Sequence, residues 1–174
     1  IEVGDGVEGF KVGDRVAGET HIPCNECYQC KTNNRHICEN MKIIGVHVPG
    51  AFAEYISFPV DCAYNIGNMD YKIASLLEPM GVAAHGVDVA DVSGKSVVIN
   101  GCGPIGLMAI SIAKAWGAKT IIALDVVDAK LQKAISLGAD YIFNSAQQDS
   151  VQEVLDIIDH GVDAVIDYSG NSYA

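Results

Sequence analysis

The chain has 174 residues, 49% of them apolar, and carries a formal net charge of −11 at pH 7. This length allows one or two domains with a sizeable core. No run of about eighteen apolar residues occurs, so the sequence predicts no membrane-spanning helix and no membrane partner. The acidic balance argues against nucleic acid as a partner, because its phosphates are bound by Lys and Arg side chains.

Residues 1 to about 58 show the short strands and loops that are typical of a small β domain. The segment Phe10–Val16 places a Gly-Asp turn between apolar positions. Further along, the segment Gly50–Ile56 alternates its larger side chains between two faces, which predicts another strand.

A group of four cysteines stands between these two segments, in the pattern C-x2-C-x2-C-x7-C. They are Cys24, Cys27, Cys30 and Cys38. Soft thiolates at a tetrahedral site select zinc or iron–sulfur iron. In the bacterial ferredoxin motif, three residues separate the last two cysteines and a proline follows the last one. Here seven residues separate Cys30 from Cys38, and Glu39 follows. We therefore predict one structural zinc, whose closed sulfur shell leaves no position for chemistry. Free or disulfide-bonded thiols are the alternative.

The cysteines also indicate the redox state of the cellular compartment. A metal site accounts for the cysteines better than a disulfide framework does, and the sequence shows no secretory leader pattern. We therefore expect a reducing, cytoplasmic setting. The remaining Cys62 and Cys102 are expected to be small packed residues.

The apolar stretch from Tyr71 to about Val92 is predicted to be helical. It is expected to break at Pro79, because proline pushes the preceding residue out of the helical region. Glu78 stands at that point among apolar neighbours. A buried carboxylate needs a partner or a metal, so we expect Glu78 to point into a cleft. An exposed acid at the start of a helix is the alternative.

From Ser96 onward, strand patterns alternate with helical patterns. The predicted elements are the strands Ser96–Asn100, Thr120–Asp125, Tyr141–Asn144 and Asp163–Tyr168 and the helices Ile105–Trp116, Ala129–Leu137 and Val151–Ile158. Repeated βα units of this kind predict an α/β fold with a parallel, doubly wound sheet.

The first βα unit contains the pattern G-x-G-x-x-G between its strand and its helix, which is the context of a dinucleotide-binding loop. Gly101 allows the tight turn, Gly103 lets the backbone approach a pyrophosphate, and Gly106 lets the helix pack close to the strand. The N-terminus of the helix then offers amide donors and a positive dipole end to the phosphates. Asp125, at the end of the next strand, is placed to bind a ribose. An ordinary glycine-rich turn is the alternative.

Together these features resemble the zinc-dependent medium-chain alcohol dehydrogenase family, and the likeness covers the whole chain. It rests on the Gly-Asp-Arg-Val turn, the four-cysteine loop, Phe52-Ala53-Glu54-Tyr55, Glu78-Pro79 and the glycine fingerprint. The Glu-Pro pair resembles the one found in the branch that includes polyol dehydrogenases and L-threonine 3-dehydrogenases. Within that branch, the segments Glu19–His21, Met41–Val46 and Gly50–Tyr55 look most like those of the threonine dehydrogenases.

The resemblance implies a fold and a division into domains. The fold would be a partial Rossmann doubly wound parallel sheet together with part of a β-rich GroES-like catalytic domain that carries the zinc loop. Residues 1–89 would form the C-terminal part of the catalytic domain and the joining helices. Residues 90–174 would form the first part of the NAD-binding domain.

The resemblance also implies roles for the motif residues. The four loop cysteines would hold the structural zinc, and Glu78 would be the catalytic residue, as a ligand of a catalytic zinc or as a partner of its water. The NAD site would comprise Gly101, Gly103, Pro104, Ile105, Gly106 and Asp125. No Arg follows Asp125 directly and an acid there repels a 2′-phosphate, so NAD is favoured over NADP.

The implied reaction is the oxidation of a small secondary alcohol, namely L-threonine to 2-amino-3-ketobutyrate, by a homo-oligomeric enzyme, a tetramer or a dimer in its full-length form. The family's catalytic cysteine and Gly-His-Glu sequence would lie upstream of Ile1, and the last strands of the sheet are missing. We therefore expect an internal fragment that is inactive alone, and none of its histidines, His21 included, stands in the context of the missing one. A polyol or diol dehydrogenase is the alternative enzyme, and a zinc-stabilised, NAD-binding module without catalysis is the alternative outside that class.

Overall fold

The computed structural model describes residues 1–171. The chain divides into two compact units, Ile1–Glu78 and Pro79–Ala174. This division lies upstream of the boundary that the sequence places at residue 89, and the domain assignment stays a prediction. Within the described residues, no helix is long and apolar enough to cross a bilayer.

The first unit contains two small antiparallel ladders. Strand β1 (Val16–Gly18) pairs with β4 (Ala63–Asn65), and β2 (His21–Ile22) pairs with β3 (Lys42–Ile43). A short helix, α1 (Tyr28–Lys31), lies within the cysteine loop. These strands are only two or three residues long, so backbone pairing contributes little to holding this unit together.

The Gly-Asp turn is present, but the strand predicted over Gly50–Ile56 is wrong. At the turn, Gly13 has a φ of +94° and the Lys11 N–H donates to Asp14 Oδ2 at 3.0 Å. Gly50–Ile56 instead forms bends and irregular backbone, and its side chains lie exposed. A strand requires a neighbouring strand for its backbone hydrogen bonds, and the described residues pair none with this segment.

The helical stretch after Tyr71 is also broken, but not at Pro79. Helix α2 (Tyr71–Ala74) begins at Asp70, whose carboxylate accepts from the Lys72 N–H at 2.7 Å. Helix α3 (Leu77–Ala90) starts soon afterwards and contains Pro79 in its first turn. Proline is tolerated there because the first N–H groups of a helix have no partner within the helix.

The second unit is built on a parallel sheet, which confirms the predicted fold class. Its strands are β5 (Ser96–Asn100), β6 (Thr120–Asp125), β7 (Tyr141–Asn144) and β8 (Ala164–Asp167). Their order in the sheet is β7-β6-β5-β8, and every described pair is parallel. The intervening helices are α4 (Pro104–Ala115), α5 (Asp128–Leu137) and α6 (Ser150–Ile157). Seen from β5, this is the first part of the doubly wound nucleotide-binding order.

The core of the second unit lies between the sheet and helices α3, α4 and α5. The first four residues of β5 are buried, as expected for a strand covered on both faces. Large side chains from the two central strands pack against small residues of α4, so the helix can approach the sheet closely. The fully buried members include Val97, Ile99, Ile121, Ala109, Ile110 and Ala113.

Candidate functional site

The four loop cysteines converge in space. Their Sγ atoms all lie within 4.8 Å of one another, and none of the four forms a disulfide bond. Cys27 Sγ lies 3.5 Å from Cys30 Sγ and 3.9 Å from Cys38 Sγ. A tetrahedral four-sulfur zinc with bonds of about 2.3 Å requires sulfur atoms about 3.8 Å apart. The donor set therefore fits zinc.

Hydrogen bonds and burial act differently on the individual thiols. Backbone N–H groups of Glu26 and Cys27 lower the pKa of the Cys24 thiol to about 6, because they stabilise its thiolate. Burial instead raises the pKa of the Cys30 thiol to about 12. A thiol in a low-dielectric environment stays protonated unless a cation compensates its charge. The thiolate form that binds a metal is thus favoured at Cys24, whereas at Cys30 it requires the charge of the metal itself.

Glu78 lies in the first turn of α3 and receives a hydrogen bond from a distant part of the sequence. The Thr20 hydroxyl donates to Glu78 Oε1 at 3.2 Å, across 58 positions of the chain. The neighbouring Glu19 Oε1 lies 2.7 Å from His21 Nδ1 and accepts from the His21 N–H at 2.9 Å. Donor atoms of Glu19, His21 and Glu78 lie within 4.8 Å of one another.

The structure therefore adds the Glu-Thr-His segment to the surroundings of Glu78. The sequence pointed to this segment only as a point of resemblance and gave His21 no role in the site. An imidazole nitrogen and two carboxylates are donors that divalent metals such as zinc accept. Glu78 as a metal ligand or catalytic residue stays a prediction, as does its position in a cleft.

The glycine loop joins β5 to α4 and has the conformation that its residues require. Gly101 has a φ of +92°, and a Cβ there would lie 2.6 Å from the Ser169 backbone N. A Cβ at Gly106 would collide with the Gly101 carbonyl oxygen, so the helix packs tightly against the loop. A Cβ at Gly103 would meet nothing within 4 Å. Gly103 therefore faces open space, into which a ligand can come close to the backbone.

Helix α4 starts directly at this loop with Pro104 in its first turn and Ile105 behind it. Its N-cap, Gly103, makes no side-chain capping bond. The first amide groups of the helix remain available as donors, and the helix dipole places a partial positive charge at the same point. A phosphate is the ligand that such a helix start accommodates.

Asp125 ends β6 beside this loop and is almost buried, with 8% of its surface exposed. Its Oδ2 accepts from the Cys102 N–H at 2.8 Å and its Oδ1 accepts from the Val127 N–H at 2.9 Å. Lys130 Nζ lies 3.6 Å from Oδ2. These bonds fix the carboxylate against the glycine loop while each oxygen keeps a further lone pair for a ligand.

A cavity of about 620 Å³ opens at the carboxyl ends of these strands within the second unit. Gly101, Gly103, Asp125 and Lys130 line it, together with Asn100 and the residues that begin α6. Open α/β sheets bind ligands at this edge, where the strand order reverses between β5 and β8. The cavity thus brings together Gly101, Gly103 and Asp125, which the sequence singled out separately, whereas the predicted Pro104, Ile105 and Gly106 do not line it.

Two family models match the chain, one in each half. The alcohol dehydrogenase GroES-like domain matches residues 1–68, and the zinc-binding dehydrogenase domain matches residues 104–174. The L-threonine 3-dehydrogenase of Pyrococcus abyssi is 45% identical over 172 residues, which cover 98% of this chain and 49% of that protein. This chain belongs to the zinc-binding alcohol dehydrogenase family.

Solved structures of the family have the same fold. A Sinorhizobium meliloti protein assigned as a zinc-binding dehydrogenase and solved with NADP is 32% identical, with a TM-score of 0.93 over 99% of this chain and 52% of that one. Galactitol-1-phosphate dehydrogenase from Escherichia coli is 33% identical, with a TM-score of 0.88 over 97% of this chain and 49% of that one. The chain spans about half the length of the curated relatives that it matches.

Proposed function

We propose that this chain supplies the structural-zinc loop, Glu78 and the first part of the NAD site of a zinc-dependent alcohol dehydrogenase. The full-length enzyme oxidises a secondary alcohol, L-threonine, to 2-amino-3-ketobutyrate. The assignment of threonine as the substrate is supported by the 45% identity to a threonine 3-dehydrogenase along nearly the whole chain. When bound, the nicotinamide cofactor would accept the hydride and a catalytic zinc would polarise the alcohol oxygen.

The second unit provides for the cofactor. The start of α4 donates amide hydrogen bonds to the pyrophosphate, and Gly103 leaves room for it. Asp125 binds the ribose hydroxyls with the lone pairs that Cys102 and Val127 leave unused. Because its carboxylate would repel a 2′-phosphate, the enzyme uses NAD in preference to NADP.

The first unit provides the structural zinc and the carboxylate of the reaction site. The cysteine loop is held closed by one zinc, which takes no part in the reaction. Glu78 is oriented by the Thr20 hydroxyl and supplies a negative group to the catalytic metal or to its water. A carboxylate so placed is stabilised by the cation, and in turn it fixes the cation's position.

Steady-state assays of the full-length enzyme with NAD+ test the substrate. We expect the highest kcat/KM for L-threonine, with lower values for sorbitol and 2,3-butanediol. Discrimination of this kind requires groups that bind the ammonium and the carboxylate of threonine, because such groups are left unpaired by a polyol. A higher kcat/KM for either sorbitol or the diol would contradict the assignment.

A polyol dehydrogenase is the second candidate. It is favoured by the structural similarity to galactitol-1-phosphate dehydrogenase, whose chain matches at 33% identity. The same three-substrate assay separates the candidates, since both need the same zinc, cofactor and Glu78. Galactitol 1-phosphate serves as a fourth substrate, and preference for it would select this second candidate.

A further inference from the structure

Asn40 contacts two sulfur atoms of the cysteine loop from just beyond its end. Its backbone N–H donates to Cys38 Sγ at 3.3 Å, and its side-chain Nδ2 donates to Cys24 Sγ at 3.7 Å. Cys24 and Cys38 are the first and last of the four cysteines. One residue therefore joins both ends of the loop through hydrogen bonds to the candidate ligands themselves.

These contacts have a physical reason in the charge of the site. Four thiolates around one Zn²⁺ leave a net negative charge, which N–H donors disperse. Backbone N–H groups of Cys24 and Cys27 donate to loop sulfurs at 3.2 and 3.4 Å in the same way. A backbone N–H donor remains when a side chain is replaced, whereas the amide donor of Asn40 is lost when its side chain is truncated.

We propose that Asn40 is a positioning residue of the structural-zinc site, whose side-chain amide holds Cys24 in the ligand arrangement and strengthens zinc binding. The proposal rests on the structural zinc of the proposed function. Groups that hydrogen-bond to metal ligands commonly contribute about 10- to 100-fold to metal affinity. Cys24 lies outside α1, and the Asn40 amide adds a side-chain donor to the backbone N–H groups of Glu26 and Cys27 that already bond to its sulfur.

Asn40 is suited to a test by substitution. Its side chain is exposed, so its truncation leaves no cavity in the core. Asn34 is a matched control within the same loop, because its Nδ2 donates to Thr32 Oγ1 at 3.2 Å. Asn40→Ala removes the donor to Cys24, Asn40→Asp replaces it with a charged acceptor of the same shape, and Asn34→Ala removes an amide that bonds elsewhere.

The experiment measures the Zn²⁺ affinity of the purified, reduced full-length enzyme and its three variants by competition with a colorimetric chelator, and the zinc that Cys24→Ser loses identifies the structural site. We expect Asn40→Ala to weaken binding about tenfold and Asn40→Asp to weaken it further, because a carboxylate repels the thiolates. Asn34→Ala should stay within about twofold of the unchanged enzyme. Thermal unfolding of the zinc-free proteins is recorded in parallel, and Asn40→Ala should leave this midpoint unchanged.

Each outcome bears on one of the two proposals. If Cys24→Ser binds as much zinc as the unchanged enzyme, the structural zinc itself is refuted. If Cys24→Ser loses one zinc but Asn40→Ala and Asn34→Ala behave alike, the role of Asn40 is refuted and the zinc stands. Zinc binding by Asn40→Asp at the affinity of the unchanged enzyme also refutes it. So does an equal loss of stability with and without zinc, which would mark Asn40 as a general loop residue.

Discussion

The hydroxyl group of Thr20 is the contact that gives Glu78 a defined orientation. It is partly buried, and it joins the Glu-Thr-His segment to the first turn of α3. A hydrogen bond to an ionised group contributes about 1.5–3 kcal/mol when its loss leaves the group without that donor. Thr20 is therefore expected to act on the reaction through Glu78.

We predict that Thr20→Val lowers the kcat of the full-length enzyme about tenfold, whereas Thr20→Ser stays close to the unchanged enzyme. Valine has nearly the shape of threonine but lacks the donor, and serine keeps the donor. Steady-state kinetics with metal analysis of each variant measures the effect. Equal kcat values for Thr20→Val and the unchanged enzyme would show that the orientation of Glu78 does not depend on this bond.

The carboxylate of Asp125 has two roles that different substitutions separate. It accepts two backbone hydrogen bonds beside the glycine loop, and it is proposed to bind the ribose of NAD. Asp125→Ala should weaken NAD far more than NADP, by about tenfold or more, because only NAD has both ribose hydroxyls free. Asp125→Asn keeps an acceptor without the charge and should improve NADP relative to NAD.

Cofactor affinities of the full-length enzyme, measured by titration with NAD+ and NADP+, check this prediction. Equal losses for both cofactors in Asp125→Ala would contradict a ribose contact. They would mean that the substitution acts by loosening the glycine loop, to which the Cys102 N–H bond belongs.

At the scale of elements, a side-chain clamp joins the starts of β5 and β8. Asp163 Oδ2 accepts from the Ser96 N–H at 2.7 Å and from its hydroxyl at 2.6 Å, and the Asp163 N–H donates back to Ser96 Oγ at 3.1 Å. The Ser96 hydroxyl and N–H hold the pKa of the Asp163 carboxyl below its usual value. The clamp thus favours the ionised carboxylate in the folded chain.

A depressed pKa in the folded state determines the sign of the pH effect. The clamp contributes fully above the unfolded pKa of about 3.9, and its contribution is lost as the pH falls through the lower folded value. We predict that Asp163→Asn lowers the urea midpoint at pH 7 and makes the acid decline below about pH 4 shallower. Asp5→Asn, in an exposed turn, is the control. An unchanged acid profile in Asp163→Asn would exclude the clamp.

The sequence predicted some elements well because their signals are local. The strand bounds Ser96–Asn100, Thr120–Asp125 and Tyr141–Asn144 agree with the structure, because short β-branched or aromatic runs between helical patterns favour strands. The strand over Gly50–Ile56 failed because alternation describes faces but supplies no pairing partner. The helix break was predicted at Pro79, but it lies before α3. Proline is compatible both with the end of a helix and with a first helical turn, and the sequence does not distinguish the two.

In the candidate site, too, the sequence predicted local features but not contacts between distant residues. The spacing of the cysteines is a local signal, and the structure brings all four together. The contact of Thr20 with Glu78 spans 58 positions and carries no periodicity by which it could be found. Its only trace in the sequence is the Glu-Thr-His segment, which a single sequence does not connect to a distant glutamate.

At the scale of the whole molecule, the two compact units differ in what stabilises them. The second unit has a contiguous core between sheet and helices, with fully buried side chains on β5, β6 and α4. In the first unit, the described buried apolar residues are few, and only Ile66 is large: Cys38, Cys62, Ile66 and Ala74. A unit with so small a core requires a metal or another cross-link to fold stably.

We therefore predict that removal of zinc by a chelator unfolds the region around the cysteine loop while the parallel sheet remains folded. Amide hydrogen exchange should rise in β2 and β3, which flank the loop, and should stay slow in β5 and β6, whose core contains no cysteine of the cluster. Cys24→Ser should reproduce the effect of the chelator. Cys102→Ala, which removes a buried thiol of the second unit outside the cluster, should retain zinc and the protection of β2 and β3. Unchanged exchange in β2 and β3 after complete zinc removal would mean that apolar packing alone holds the first unit, and the spacing of the four cysteines would then need another explanation.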